Sequence, residues 1–111
     1  MMPEQKVYSL DEARNLVPWL MEASKEAERQ VREAQNSAES HEDSQEKIQA
    51  IIYHWAETVA KLGGLPKQPF TVDFDSGTDY FCWEYPESDI FYRHGYERGY
   101  AGRQRIKDEK P

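Results

Sequence analysis

The amino-acid sequence predicts an α+β fold, in which a long antiparallel helical hairpin precedes a small antiparallel three-stranded sheet and an ordered basic tail. The first half of the 111-residue chain carries apolar residues at alternating steps of four and three, the spacing of a helical seam. The second half carries short runs in which aromatic and polar residues alternate, as is typical of strands. We expect a single domain over 1–111, with the helical hairpin at 8–64 and the sheet and tail at 69–106.

The first predicted helix begins at a capping box. The side chain of Ser9 can accept from the backbone N–H of Glu12, whose carboxylate reaches back to the serine. Pro18 removes one helical hydrogen bond, so we expect a kink near it in a helix from about Leu10 to about Asn36. The seam is rich in alanine, which permits close approach of a second helix, and comprises Ala13, Val17, Leu20, Ser24, Ala27, Val31, Ala34 and Ala38.

The second predicted helix follows a polar turn at residues 36–44. Asp43 and Glu46 offer a second capping box, and Gly63-Gly64 ends the helix. Its seam comprises Ile48, Ile52, Trp55, Val59 and Leu62. Three short strands cannot cover a helix of about 40 Å. The exposed remainder of the seams therefore predicts a homodimer formed through the helices, and single hydrophobic stripes are the alternative.

Three strands are predicted, at 70–74, 79–85 and 90–94, after a stiff linker at 65–69. Four residues between the last two strands would place Phe81 opposite His94. On that register one face carries Phe81, Trp83, Tyr85, Ile90, Tyr92 and His94, and the other carries Tyr80, Cys82, Glu84, Phe91 and Arg93. We expect the first face to pack against the helices.

Composition and charge restrict the class of protein. The net charge of −7 argues against general nucleic-acid binding, because cations drive phosphate contacts. Residues 92–111 nevertheless carry six basic and three acidic groups, so this end could meet an anion locally or simply balance an acidic body. A single cysteine and the lack of a long apolar run predict a cytoplasmic protein with no membrane contact.

Two segments carry a family resemblance. The opening, from Tyr8 to Leu20, has an aromatic residue, Ser-Leu-x-Glu-Ala, an apolar pair and a proline. The second block comprises Cys82-Trp83, Glu87, Ile90, His94 and the run Gly99-Tyr-Ala-Gly-Arg-Gln, and Val72-Asp73-Phe74 also fits. Over about residues 7–106 the chain resembles the prokaryotic family designated domain of unknown function 2203, although Pro86 replaces its glycine and Arg93 an aromatic residue. The resemblance implies a bacterial, cytoplasmic protein and no established activity.

Two residue sets could hold a metal or perform acid–base chemistry. Thiolate and imidazole are good zinc ligands, but the predicted register puts Cys82 and His94 on opposite faces, which favours a buried thiol and a packed histidine. Glu87, His94 and Glu97 form a second carboxylate–imidazole set, for a metal or for general acid–base catalysis. Ion pairing of these carboxylates with nearby arginines is the structural alternative.

The Gly99–Gln104 run predicts an anion-binding site. Glycines such as Gly102 let the backbone approach a ligand, Arg103 presents a planar fork suited to carboxylate or phosphate, and Gln104 adds an amide. The run lacks the Gly-Lys-Ser/Thr of a phosphate loop. Alternatively, Arg103 pins the tail onto an acidic patch of its own sheet.

Three functional hypotheses follow. The first is a non-enzymatic binding module whose site includes His94, Glu97, Arg103 and Gln104 and takes an anionic small molecule or an acidic protein segment. The second is a metal-dependent enzyme, such as a hydrolase, that uses Glu87, His94 and Glu97. The third is a coiled-coil adaptor that acts through the hairpin alone. The residues name no cofactor for any of them.

Overall fold

The computed structural model describes residues 6–37 and 39–107 and confirms the α+β class. Three helices, α1 (Leu10–Arg14), α2 (Val17–Ser37) and α3 (His41–Leu62), precede an antiparallel sheet. The sheet has five strands in sequential order rather than three. They are β1 (Leu65–Pro66), β2 (Thr71–Asp75), β3 (Tyr80–Glu84), β4 (Tyr92–His94) and β5 (Gln104–Arg105). The two extra strands form from the proline-containing linker and from the basic tail.

The predicted first helix is interrupted at Asn15 and Leu16, close to Pro18, where a kink is expected. The capping box forms: the N–H of Glu12 donates to Ser9 Oγ at 3.1 Å, and the N–H of Ser9 donates to the Glu12 carboxylate at 2.9 Å. The chain turns at Asn15 and Leu16 and resumes as α2, because proline has no N–H to continue the hydrogen-bond ladder. The predicted seam member Ala38 lies outside the described residues.

Helix α3 begins earlier than the second capping box predicts. Ser40 is its N-cap and accepts from the N–H of Asp43 at 3.0 Å, so Asp43 lies in the first turn and is not the cap. Gly63 ends the helix with φ of 100°, a left-handed conformation that suits glycine. A hydrogen bond joins the two long helices: the indole N–H of Trp55 in α3 donates to Ser24 Oγ in α2 at 2.9 Å.

The predicted pairing of the last two long strands is wrong by one residue. His94 lies opposite Tyr80 and not Phe81. Residues 85–91 do not form a four-residue hairpin turn: the indole of Trp83 donates to Glu87 O at 2.8 Å, and Ile90 is buried in the core. This longer connection delays pairing until Tyr92. Because side chains alternate along a strand, the slip moves Tyr92 and His94 to the opposite face.

The helices pack on one face of the sheet, which we call the inner face. Val72, Phe74, Phe81 and Trp83 project from it and form a continuous core with Leu20, Trp55 and Val59. The opposite, outer face carries the residues that alternate with them, namely Thr71, Asp73, Asp75, Tyr80, Cys82, Glu84, Tyr92 and His94. The chain after β4, residues 95–103, crosses back over part of this outer face.

No helix among residues 6–37 and 39–107 is long and apolar enough to cross a membrane.

Candidate functional site

An open pocket lies between the outer face and the segment that follows β4. Its volume is about 470 Å³, within the range of small-molecule sites. The ring of Tyr96 packs edge-on against Tyr80 at 4.8 Å between centroids, and the hydroxyl of Tyr100 donates to Glu84 at 3.0 Å. These contacts hold the segment above the sheet. The lining residues are Lys67, Gln68, Thr71, Asp73, Tyr80, Cys82, His94, Tyr96, Glu97, Arg98, Gly99 and Tyr100.

Three chemically versatile side chains from three adjacent strands meet at the floor of this pocket. Asp73 of β2 lies directly opposite Cys82 of β3. His94 of β4 lies opposite Tyr80, which is two residues before Cys82 and on the same face of β3. Their possible ligand atoms all lie within 4.8 Å of one another. The three residues are only 2%, 0% and 5% exposed, respectively. The prediction that Cys82 and His94 lie on opposite faces is therefore wrong, and the one-residue slip in register is the cause.

Both ring nitrogens of His94 have partners. Nδ1 lies 2.9 Å from Gly95 O, and because a carbonyl oxygen only accepts, Nδ1 carries a hydrogen. Nε2 lies 3.0 Å from Asp73 Oδ2. A single proton between these two atoms makes the contact attractive, either as imidazolium and carboxylate or as imidazole and carboxylic acid. His94 is thus held in one orientation, with Nε2 aimed at Asp73.

Cys82 is not arranged as an activated nucleophile. Burial, reinforced by the charge of Asp73, raises the pKa of the thiol to about 12, so the neutral thiol dominates near pH 7. In a Cys–His–Asp triad the imidazole bonds the nucleophile through one nitrogen and the carboxylate through the other. The two nitrogens of His94 instead face Gly95 O and Asp73. This geometry does not support covalent catalysis by Cys82.

Two polar atoms at the floor lack a partner. Asp73 Oδ1 and Thr71 Oγ1 are buried and make no hydrogen bond. A buried, unsatisfied polar atom costs about 1–3 kcal/mol, so native proteins keep few of them. Both residues line the pocket, so a bound group could supply the missing contacts.

The rim of the pocket is aromatic and of mixed charge. Lys67 Nζ lies 5.6 Å from the ring centre of Tyr80, and Arg98 and Glu97 also line the opening. The hydroxyl of Tyr96 donates to Asp75 at 2.6 Å, and this hydrogen bond raises the pKa of Tyr96 to about 12. The rim therefore offers two cations and one carboxylate around aromatic walls.

The predicted site residues divide into two groups. His94 and Glu97 line the pocket. Arg103 lies outside it, where its Nη2 donates to both carboxylate oxygens of Glu87 at 2.7 and 2.9 Å and its guanidinium lies 4.0 Å from the ring centre of Tyr92. Burial, the largest single influence, opposes the charged form of Arg103, but Glu87, Cys82 and Tyr100 together outweigh it and keep the pKa of the guanidinium above its ordinary value.

The remaining members of the Gly99–Gln104 run are structural neighbours of that ion pair. A Cβ on Gly102 would lie 2.7 Å from Cβ of Arg98, so glycine permits this close approach. Gln104 is exposed on strand β5 and pairs with Arg93. Glu87, Gly102, Arg103 and Gln104 are not among the residues that line the pocket.

Sequence reasoning missed Asp73 and Thr71 as site residues. The available signal was an aspartate between two apolar residues in the middle of a predicted strand, Val72-Asp73-Phe74. A charged residue there is unusual for a strand that is buried on both faces. Its partners could not be named because they depend on the register of β3 and β4.

The fold and the site define a small α+β protein with a polar pocket on the sheet face that the helices leave uncovered. The chain belongs to the family of uncharacterised conserved proteins DUF2203, whose model matches residues 6–106. No curated protein and no solved structure matches it. The match covers both the hairpin and the sheet, so the pocket lies within the family's domain.

Proposed function

We propose that this protein is a non-enzymatic binding module that holds a small polar ligand in the outer-face pocket. The observation that carries the proposal is the pair of buried, unpartnered atoms at its floor, Asp73 Oδ1 and Thr71 Oγ1. A ligand group that donates to the carboxylate oxygen and also hydrogen-bonds the threonine hydroxyl would give both buried atoms a partner.

The rim narrows the chemistry of the ligand. Two cations, Lys67 and Arg98, and one carboxylate, Glu97, line the opening. Asp73 is not counted with them, because its carboxylate is already paired with His94. A ligand with an anionic group at the rim and a hydrogen-bond donor at the floor is complementary to both ends. The anion site predicted for the tail is thereby retained, but moved from Arg103 to the pocket.

A binding role accounts for the floor better than a catalytic one does. The raised pKa of Cys82 disfavours a thiolate nucleophile, and both nitrogens of His94 are already in hydrogen bonds. The alternative of a metal-dependent enzyme that uses Glu87, His94 and Glu97 stays a prediction. In the structure the carboxylate of Glu87 already accepts a hydrogen bond from the guanidinium of Arg103.

Small hydroxy acids are suitable probes, because each carries a hydroxyl donor and a carboxylate. We expect glycolate, lactate or malate to shift the backbone NMR signals of residues 71–73, 80–82 and 94–100. Thr71→Val should weaken that binding at least tenfold, whereas Thr78→Val, at an exposed turn, is the matched control and should not. If none of the three acids shifts the pocket signals, or if Thr71→Val binds as tightly as the unaltered protein, the proposal is wrong.

The homodimer through the helices is a separate proposal. Val31, Ile48 and Ile52 lie on the hairpin and are only partly buried, and none belongs to the buried core. A second copy would cover them and complete the predicted seams. Light scattering coupled to gel filtration tests this, with Ile52→Asp expected to convert dimer to monomer. A monomer at high micromolar concentration without any substitution would contradict it.

A further inference from the structure

We infer that Asp73, Cys82 and His94 bind a divalent transition-metal ion, with zinc as the ion that best suits their donor set. A carboxylate oxygen, a thiol sulfur and an imidazole nitrogen converge within 4.8 Å of one another. Each comes from a different strand, and all three are buried. Nitrogen and sulfur donors with one oxygen are typical of zinc and disfavour magnesium or calcium.

The separation of the donors is close to that of a metal site. Zinc–nitrogen and zinc–oxygen bonds of about 2.0–2.1 Å at a tetrahedral angle place the two donor atoms about 3.3 Å apart. His94 Nε2 and Asp73 Oδ2 are 3.0 Å apart, so the ion could replace the proton between them after a small opening. Binding would release that proton and the thiol proton of Cys82 to solvent.

The surroundings of His94 already fix the orientation that a ligand histidine requires. Metal-bound histidines usually donate the hydrogen of the other ring nitrogen to a carbonyl or carboxylate. Nδ1 of His94 lies 2.9 Å from Gly95 O, which leaves Nε2 directed at Asp73. The unpartnered Asp73 Oδ1 adds to this, because a carboxylate can also bind a metal ion through its second oxygen and this buried oxygen has no hydrogen bond.

The site is open on the side of the pocket. Three protein ligands leave a fourth tetrahedral position, which in zinc proteins is taken by water or by a bound substrate. Here all three residues line the pocket. This part of the inference rests on the proposed function: the hydroxyl that the ligand brings to the floor would take the fourth position on the ion, and its anionic group would stay with the cations at the rim.

Cobalt(II) is the spectroscopic probe, because a bound thiolate gives it a charge-transfer band in the near ultraviolet. The full-length protein, freed of metal by chelator, should bind one equivalent of Co²⁺ with such a band, and Zn²⁺ should displace it. Cys82→Ser should abolish the band, and His94→Gln should weaken binding at least a hundredfold. His54→Gln, at an exposed histidine of α3, is the matched control and should bind as the unaltered protein does.

Two results would overturn the inference: no charge-transfer band in the unaltered protein, or an unchanged band in His94→Gln. A measurement without substitutions guards against variants that fail to fold: excess Zn²⁺ should raise the melting temperature of the unaltered protein, and an unchanged melting temperature would count against the site. If hydroxy acids bind and Thr71→Val weakens them while Co²⁺ gives no band, the metal inference is wrong and the proposed function stands. If Co²⁺ gives the band but none of the hydroxy acids binds, the metal inference stands and the proposed function is wrong.

Discussion

The ion pair between Arg103 and Glu87 should act as a clamp that holds the C-terminal segment over the sheet. One nitrogen of the guanidinium donates to both carboxylate oxygens, and the two side chains are only 10% and 19% exposed. The N–H of Glu84 also donates to Glu87 at 2.7 Å. Arg103→Ala would therefore leave a largely buried carboxylate with one backbone donor and no cation.

The cost of that change can be estimated from the environment of the pair. Breaking a buried ion pair by removing one partner costs about 3–5 kcal/mol. Glu87 keeps the Glu84 N–H and some contact with water, so we expect a loss of about 2–3 kcal/mol from the free energy of unfolding, including the contact of the guanidinium with Tyr92. For a domain of this size the melting temperature should fall by about 10 °C.

A double-mutant cycle measures the pair itself. Urea unfolding of Arg103→Ala, Glu87→Ala and the double variant should give a coupling energy of about 1.5–2 kcal/mol. Arg105→Ala is the control: this exposed arginine also lies over an aromatic ring, 4.9 Å from the centre of Phe91, and its loss should cost no more than about 1 kcal/mol. A coupling energy below about 0.5 kcal/mol would refute the clamp and return Arg103 to consideration as an anion ligand.

Three further predictions concern the body of the fold. Ser24→Ala should remove about 1–3 kcal/mol from the free energy of unfolding in urea, because it leaves the buried indole N–H of Trp55 without an acceptor; an unchanged midpoint would contradict this. Gly64→Ala should cost about 1–3 kcal/mol in the same assay, since the added methyl would lie 2.6 Å from a buried valine, and a neutral result would show that the core yields there. The hydrogen bond from Arg93 lowers the pKa of Asp79, so the stability from this pair is present above the unfolded carboxyl pKa of about 3.9 and is lost as the pH falls through the folded value. The stability difference between the unaltered protein and Arg93→Gln should shrink from pH 6 to about pH 3, and a difference independent of pH would contradict the assignment.

The helical half could be predicted because its signals are local. Ser9 and Glu12 lie three residues apart and cap each other, and Gly63 ends a helix through its own backbone conformation. A proline inside a long helical pattern interrupts the hydrogen-bond ladder, so Pro18 divides the predicted helix and lies in the first turn of α2. None of these effects requires knowledge of the rest of the fold. The start of α3 was misplaced because Ser40 and Asp43 are both good caps and the sequence does not rank them.

The sheet could be predicted in outline but not in register. The pairing of β3 with β4 depends on residues 85–91, whose path is held by contacts made at a distance. The guanidinium of Arg14, on α1, donates to Ile90 O at 2.9 Å, and Ile90 enters a core built from both helices and strands. A contact between residues 76 positions apart leaves no mark in local spacing. A four-residue turn is the simplest interpretation of Pro86-Glu-Ser-Asp, and here long-range packing overrides it.

The same one-residue shift decides whether a site exists. On the predicted register Cys82 faces away from the helices, as Asp73 does, but His94 faces the helices and cannot meet either of them. On the observed register all three project from the outer face. Glu87 links this register to the pocket, because its carboxylate accepts from Glu84 at the end of β3 and from Arg103 in the covering segment. Glu87 is therefore better understood as a residue that joins the end of β3 to the covering segment than as a ligand at the proposed site. Glu87→Gln should weaken the proposed binding of Co²⁺ and of hydroxy acids, and unchanged titrations of both would contradict this role.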